Sequence, residues 1–255
     1  MQHTNLATVA DALLEARRSH LPCDATPLAG HLASPTDAYA VQALVARGQA
    51  ADTAFPRHWK SGGASRSTEL THAPLPAKGV WSSPATAGGW PFNLRLIEVE
   101  IALRLRQSVT PSQAAALTYE SAPALVDAMT VSIEIVDSRW QQGVKAPPLL
   151  RLADLGTHGA LVLGDWVPFS PRDWSAQGCS VQIGSAAALQ FRGSYSLADP
   201  AWVLPAWLRH ATRQGETAPA GTVVTTGSWC GVLPAAAGDR VVARFEGVGE
   251  ASVQL

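Results

Sequence analysis

Residues 96–106 alternate strictly. Ile97, Val99, Ile101, Leu103 and Leu105 would face one way, and Glu98, Glu100, Ala102, Arg104 and Arg106 the other. A period of two is the signature of a β-strand, so this stretch commits the chain to a sheet with one apolar face. Glu98 and Glu100 then leave the same face about 7 Å apart at the backbone. Close carboxylates repel unless something neutralises them. A hard cation such as Mg²⁺ or Mn²⁺ would do so, because it gathers several oxygen ligands and keeps positions open for water or substrate. The competing reading is a solvated face, since Arg104 and Arg106 continue it and alternating charge is usual on an exposed antiparallel strand.

A second strand is predicted over residues 131–136, with Val131, Ile133 and Ile135 on one face and Ser132, Glu134 and Val136 on the other. Glu134 is flanked by β-branched apolar residues, with no other charge in the strand. A carboxylate in such a place is buried, and a buried carboxylate without a partner is costly. Three carboxylates on two strands make one candidate metal site: Glu98, Glu100 and Glu134. Asp137 and Arg139 follow closely enough to pair with each other or to cap the strand end, in a supporting role.

Around these strands, amphipathic helices are predicted over residues 9–19 and from Thr36 to near Gly48. Residues 59–93 turn to Gly, Pro, Ser and Thr, which predicts loops and short strands that could wall a site. Further β signal falls at residues 159–167, 181–191, 222–226 and 240–245. One clear helix interrupts it, at about residues 200–213, stopped by Gly215 and Pro219. Many strands, few helices and no regular βα alternation predict an α+β chain on a mixed or antiparallel sheet. Residues 1–55 are expected to form an N-terminal helical lead-in to a metal-binding, β-rich catalytic domain of residues 56–255, the two making one compact unit.

Ile97-Glu-Val-Glu-Ile-Ala102, followed some thirty residues later by Ile133-Glu-Ile-Val-Asp-Ser-Arg139, resembles the signature of the 2-oxopent-4-enoate hydratase and 4-oxalocrotonate decarboxylase group within the fumarylacetoacetate hydrolase superfamily. Tyr39-Ala-Val-Gln42, Trp59-Lys60, Pro205-Ala-Trp-Leu208, Ala220-Gly-Thr-Val-Val-Thr-Thr-Gly-Ser228, Gly238-Asp239 and Phe245-Glu-Gly247 extend the likeness, in order, over nearly the whole chain. The resemblance implies a mixed, mostly antiparallel β-sheet roll and a homo-oligomer. It implies that Glu98, Glu100 and Glu134 hold Mg²⁺ or Mn²⁺, and that Lys60 lies beside a small 2-oxo acid substrate. Thr226 and Ser228, through hydroxyls or amides, are then the contacts to the substrate carboxylate. The implied reaction is hydration of a 2-hydroxypenta-2,4-dienoate or decarboxylation of a 4-oxalocrotonate, with Lys60 shuttling a proton from a pKa lowered by the cation and by burial. Two readings stand beside it: an acylpyruvate-type carbon–carbon hydrolase of the same superfamily, and a non-catalytic binding protein that kept the fold.

Departures from the group's pattern are specific. Ala73-Pro-Leu-Pro-Ala-Lys-Gly79 has no carboxylate where members carry a Glu-Pro-Asp-Tyr-Gly-like run, and Ala153-Asp-Leu155 has Leu where they carry Asn. Ser61-Gly62 follows Lys60 where an apolar residue and Gly are usual.

A net charge of −1 with 15% charged residues gives no field to attract nucleic acid or an anionic membrane. No apolar run reaches the roughly 18 residues needed to span a bilayer, and Asp11 and Glu15 occupy the place of a signal peptide's apolar segment, so a cytoplasmic location is expected. Cys23, Cys179 and Cys230 are too scattered for a zinc or disulfide framework and are expected as buried free thiols. The histidines, His58, His72 and His158 among them, lack helical ligand spacing and are expected as satisfied or surface residues.

Overall fold

The computed structural model describes residues 2–49 and 55–255. Residues 1 and 50–54 of the expected lead-in lie outside them. Helix α1 (Gln2–Ser19) begins well ahead of Val9, where apolar spacing first shows, and α2 (Pro35–Gly48) opens on a capping box in which Ser34 and Asp37 each accept the other's backbone N–H. In chain order the strands are β1 (His58–Gly62), β2 (Thr71–Pro74), β3 (Val80–Ser82), β4 (Ala85–Thr86), β5 (Leu96–Leu105), β6 (Val126–Val136), β7 (His158–Leu163), β8 (Val167–Pro168), β9 (Gly178–Ile183), β10 (Leu189–Arg192), β11 (Val223–Thr225), β12 (Leu233–Pro234), β13 (Arg240–Phe245) and β14 (Gly249–Gln254). Short helices α3 (Pro111–Ala116) and α4 (Pro148–Ala153) flank β6, and α5 (Leu204–Ala211) follows a 3₁₀ turn over Pro200–Val203.

Among the described residues the strands make a nine-stranded sheet, ordered β2-β1-β11-β5-β6-β7-β3 with β12 beside β5 and β8 beside β6, and a five-stranded sheet ordered β10-β9-β13-β14-β4. Neighbours are antiparallel except β1–β11, β3–β7 and β4–β14. This is the mixed, mostly antiparallel α+β architecture predicted from the strand pattern. The alternation of β5 sends Ile97, Val99, Ile101 and Leu103 into the main core, where they meet Val131, Ile133 and Ile135 of β6 and apolar side chains of the second sheet. The opposite face of β5 and β6 is left for Glu98, Glu100 and Glu134. A smaller apolar cluster joins α1, α2 and α4 around the buried Trp140. None of the described helices is long and apolar enough to cross a membrane.

Two of the histidines pack together beneath α2, His72 buried and His210 half-buried. His72 of β2 lies under Tyr39 and Gln42 of α2, with its Nδ1 2.9 Å from the Ser61 hydroxyl, and its ring packs 4.8 Å from that of His210 on α5. Burial, with Arg213 nearby, pushes His72 down to about 4, and burial beside His72 pushes His210 down to about 3. A histidine depressed in the fold stabilises it above the ordinary value near 6.5, and that stability drains away as pH falls toward the folded value. For His72 the loss between about pH 6.5 and 4 is about 3 kcal/mol. Urea unfolding of the wild type and of His72→Gln at pH 7 and pH 4.5 measures it: the variant should lose less stability on acidification, and equal losses would contradict a neutral, buried His72.

Candidate metal centre

The β5–β6 register sets Glu98 directly opposite Glu134 and Glu100 opposite Ser132. Residues opposite one another in an antiparallel pair share a face, so the period-two pattern of each strand and this register bring all three carboxylates together. One ligand oxygen from each of Glu98, Glu100 and Glu134 lies within 4.8 Å of the others. Glu100 and Glu134 are buried and Glu98 is half-exposed, so the cluster opens to solvent over Glu98. The solvated-face reading holds only for the far end of β5, where Arg104 pairs with Asp127 at 2.9 Å and Arg106 is exposed.

Each buried carboxylate is gripped on one oxygen. The Thr225 hydroxyl and the Gly227 N–H both donate to Glu100 Oε2, the latter at 2.9 Å. Lys60 Nζ and His158 Nδ1 both reach Glu134 Oε1, at 2.6 and 3.0 Å. Glu134 Oε2 is buried with no hydrogen-bond partner. A buried carboxylate oxygen left in this way is costly, and a cation among three acidic side chains is the partner that removes the cost. The oxygen-only donor set suits a hard divalent ion.

Lys60 arrives from the other side of the sheet order. Strand β1 runs parallel to β11 with Lys60 opposite Thr225, and β11 places Thr225 opposite Ala102 of β5. The Lys60 side chain therefore shares a face with the trio. Its ammonium also donates to the Gly156 carbonyl at 3.2 Å. Gly156 has φ +64°, a left-handed conformation that glycine adopts without strain, and its Cα side faces the Lys60 stem at ordinary contact distance.

Charge is unevenly shared. Burial lifts Glu98 to about 8 and Glu100 to about 7. Glu134 stays below the usual carboxylate range, because Lys60 and His158 together outweigh its burial. Burial pulls the Lys60 pKa down, but the attraction of Glu134, Glu98 and Glu100 together holds it above the ordinary lysine value in the protein alone. The protein alone thus holds one ion pair, Lys60 with Glu134, and two carboxyls that resist ionisation.

A model of the C-terminal domain of fumarylacetoacetate hydrolase (FAA) matches residues 51–255. The chain belongs to the fumarylacetoacetate hydrolase family. Solved structures of the family share its fold. Two structures of 4-oxalocrotonate decarboxylase from Pseudomonas putida G7, one complexed with calcium and acetate and one with magnesium and adipate, each align at TM-score 0.83 and 19% identity over 100% of this chain and 98% of theirs. Maleylpyruvate hydrolase from Sphingobium sp. SYK-6, in complex with manganese(II) and pyruvate, aligns at TM-score 0.54 and 15% identity over 78% of this chain and 70% of its own. No curated protein sequence matches the chain.

The remaining positions carried over from the family signature fall around the trio. Thr226 is buried, and its hydroxyl donates to the Ile101 carbonyl at 2.8 Å while its own carbonyl accepts the Tyr195 hydroxyl. The Ser228 hydroxyl donates to the Gly231 carbonyl at 2.6 Å. The Thr-Gly-Ser turn therefore bonds both hydroxyls to its own backbone surroundings, and the members that reach the trio are Thr225 and the Gly227 amide. Asp137 accepts the backbone N–H groups of Asn93 and Leu94, at 3.0 and 2.7 Å. Arg139 turns to Asp154, Nε to Oδ1 at 2.6 Å, and stands 3.7 Å from Asp137. Arg17 of α1 reaches the same Asp154 at 3.0 Å. These ion pairs brace the turn that presents Gly156 and His158, and Leu155 in it has φ +54°, a conformation that asparagine tolerates better. Sequence reasoning passed over His158, Thr225, Gly156 and Gly227. For His158 a signal was present: it heads the apolar run Gly159-Ala-Leu-Val-Leu163, whose continuity predicts a strand buried on both faces.

Proposed function

We propose that this member of the fumarylacetoacetate hydrolase family is a divalent-metal-dependent lyase for short unsaturated 2-oxo acids, hydrating 2-hydroxypenta-2,4-dienoate-like substrates or decarboxylating 4-oxalocrotonate-like ones. One observation carries the reading: three acidic side chains converge within 4.8 Å, one presents a buried oxygen without a partner, and a lysine stands beside them. The likeness in fold to a decarboxylase complexed with magnesium supports it.

In this reading Glu98, Glu100 and Glu134 hold Mg²⁺ or Mn²⁺, which when bound offsets negative charge developing on the substrate's 2-oxygen. Thr225 and Gly227 fix Glu100, and His158 fixes Glu134, so the ligand oxygens need no reorganisation. Lys60 is the ammonium beside the trio and supplies a proton from Nζ to the substrate carbon. Its side chain is 20% exposed, enough for substrate to reach the ammonium. Hydration and decarboxylation place the same demands on these residues, which is why the arrangement serves either.

The acylpyruvate hydrolase reading requires a His-Glu pair that activates water. His158 and Glu134 are such a pair chemically, but the His158 side chain is 2% exposed and its partner belongs to the trio, so this reading ranks second. A panel of unsaturated 2-oxo acids with Mg²⁺, followed by dienol absorbance and CO₂ release together, is the test. Dienol absorbance lost without CO₂ identifies a hydratase, and CO₂ released as dienol absorbance appears identifies a decarboxylase; no change with any acid sinks the lyase reading.

A further inference from the structure

Among the described residues the His158 side chain has one hydrogen-bond partner, and it belongs to the trio. Its ring is buried, Nδ1 lies 3.0 Å from Glu134 Oε1, and Nε2 has no partner. Glu134 is ionised beside Lys60 and so can only accept, which fixes the proton of His158 on Nδ1. A carboxylate oxygen offers two lone-pair sites. Lys60 Nζ and His158 Nδ1 take both sites of Oε1, and the orphaned Oε2 is what remains for a ligand. Glu100 repeats the arrangement, since Thr225 and Gly227 both donate to its Oε2. Glu98 is the member of the trio that carries no such grip.

The number of oxygens a site can offer decides which hard cation it prefers. Mg²⁺ is small and takes a near-octahedral shell at about 2.0–2.1 Å, to which each carboxylate gives one oxygen. Ca²⁺ takes 6–8 oxygens at about 2.3–2.6 Å and gains from carboxylates that bind through both. A carboxylate with one oxygen saturated by N–H donors cannot supply the second.

We propose that His158 is a positioning residue that holds Glu134 to a single ligand oxygen and thereby biases this centre toward Mg²⁺ over Ca²⁺. The inference rests on the metal-centre reading above. Of the two donors on Oε1, Lys60 is partly exposed and also bonds the Gly156 carbonyl, whereas the His158 side chain is buried and has no second partner among the described residues. The lock that persists is therefore the imidazole.

Metal-free protein titrated calorimetrically with Mg²⁺ and, separately, Ca²⁺ tests this, with the ratio of the two affinities as the readout. Outer-sphere partners of metal ligands commonly govern affinity by 10–100-fold, so in His158→Leu the preference should move toward Ca²⁺ by about 10-fold or more. His158→Asn, whose amide N–H sits at the same remove from Cβ as Nδ1, should stay close to the wild-type ratio. His158→Ala, which removes the same N–H with a smaller side chain, should shift the ratio in the same direction and decides the matter if the leucine variant does not fold. A wild type that binds Mg²⁺ while the ratio in His158→Leu, or in His158→Ala in its place, is unchanged overturns the role of His158 and leaves the metal centre standing. A wild type that binds neither ion overturns both.

Discussion

Glu134→Gln is expected to abolish Mg²⁺ uptake, with affinity falling at least about 100-fold, the upper end of what loss of a mere outer-sphere partner costs. The substitution is close to isosteric. The amide oxygen can still accept from Lys60 and His158, but the group facing the trio becomes an N–H₂ that cannot bind a cation. Glu134 is the member with the buried, partnerless oxygen, so the lesion falls on the strongest donor. Thermal unfolding reports it simply. At Mg²⁺ near 100 times its dissociation constant the wild type gains about 2.7 kcal/mol, and for a chain of this size each kcal/mol raises the midpoint by about 2–4 °C. The same Mg²⁺ should leave the Glu134→Gln midpoint where it was. An undiminished shift in the variant would remove Glu134 from the centre.

Lys60→Met should behave in the opposite way, losing turnover by about 10²–10⁴-fold while still binding the cation. Nζ is the ammonium beside the trio, 2.6 Å from Glu134 Oε1, and a thioether of similar length has no proton to give. Its effect on stability depends on metal. Without a cation the variant strands Glu134 among other carboxyls, and breaking a buried pair of this kind costs about 3–5 kcal/mol, here near the lower figure because Lys60 is partly exposed. With Mg²⁺ present the lost positive charge is replaced and most of the deficit should vanish. Turnover within tenfold of the wild type would rule out proton transfer by Lys60. A deficit that Mg²⁺ does not relieve would place the cation elsewhere.

The alternation of residues 96–106 and the lone charge of Glu134 were enough to foresee two strands and three convergent acids, because a period of two fixes which side chains share a face. What alternation cannot fix is the pairing partner and its offset. That Glu98 meets Glu134 follows from the register of the β5–β6 pair, and that Thr225 meets Glu100 follows from strands far apart in the chain. Helices α3 and α4 were missed because each is six residues long and has proline at its first turn, where proline is well tolerated but reads in sequence as a breaker. Strand β14 was passed over because Gly247 and Gly249, both with positive φ, mark the turn that opens it, although Ala251 and Val253 alternate with Ser252 and Gln254 behind them. The first turns of α1 were hidden by polar residues that no apolar period could flag. The direction of the Lys60 shift needed a count of every acid around it, which only the assembled sheet supplies.

Strand β11 enters between β1 and β5, although it is made more than a hundred residues after either. During synthesis the β5–β6 hairpin can close early, and the acids of both strands meet as soon as it does. Lys60 has no strand to lie against on that side, and Glu100 has no donor, until Thr225 and Gly227 have left the ribosome. A nascent chain therefore carries an incompletely gripped acidic face from the closure of that hairpin until β11 emerges, and closure of the long loop that ends at β11 sets the pace at which that face is completed.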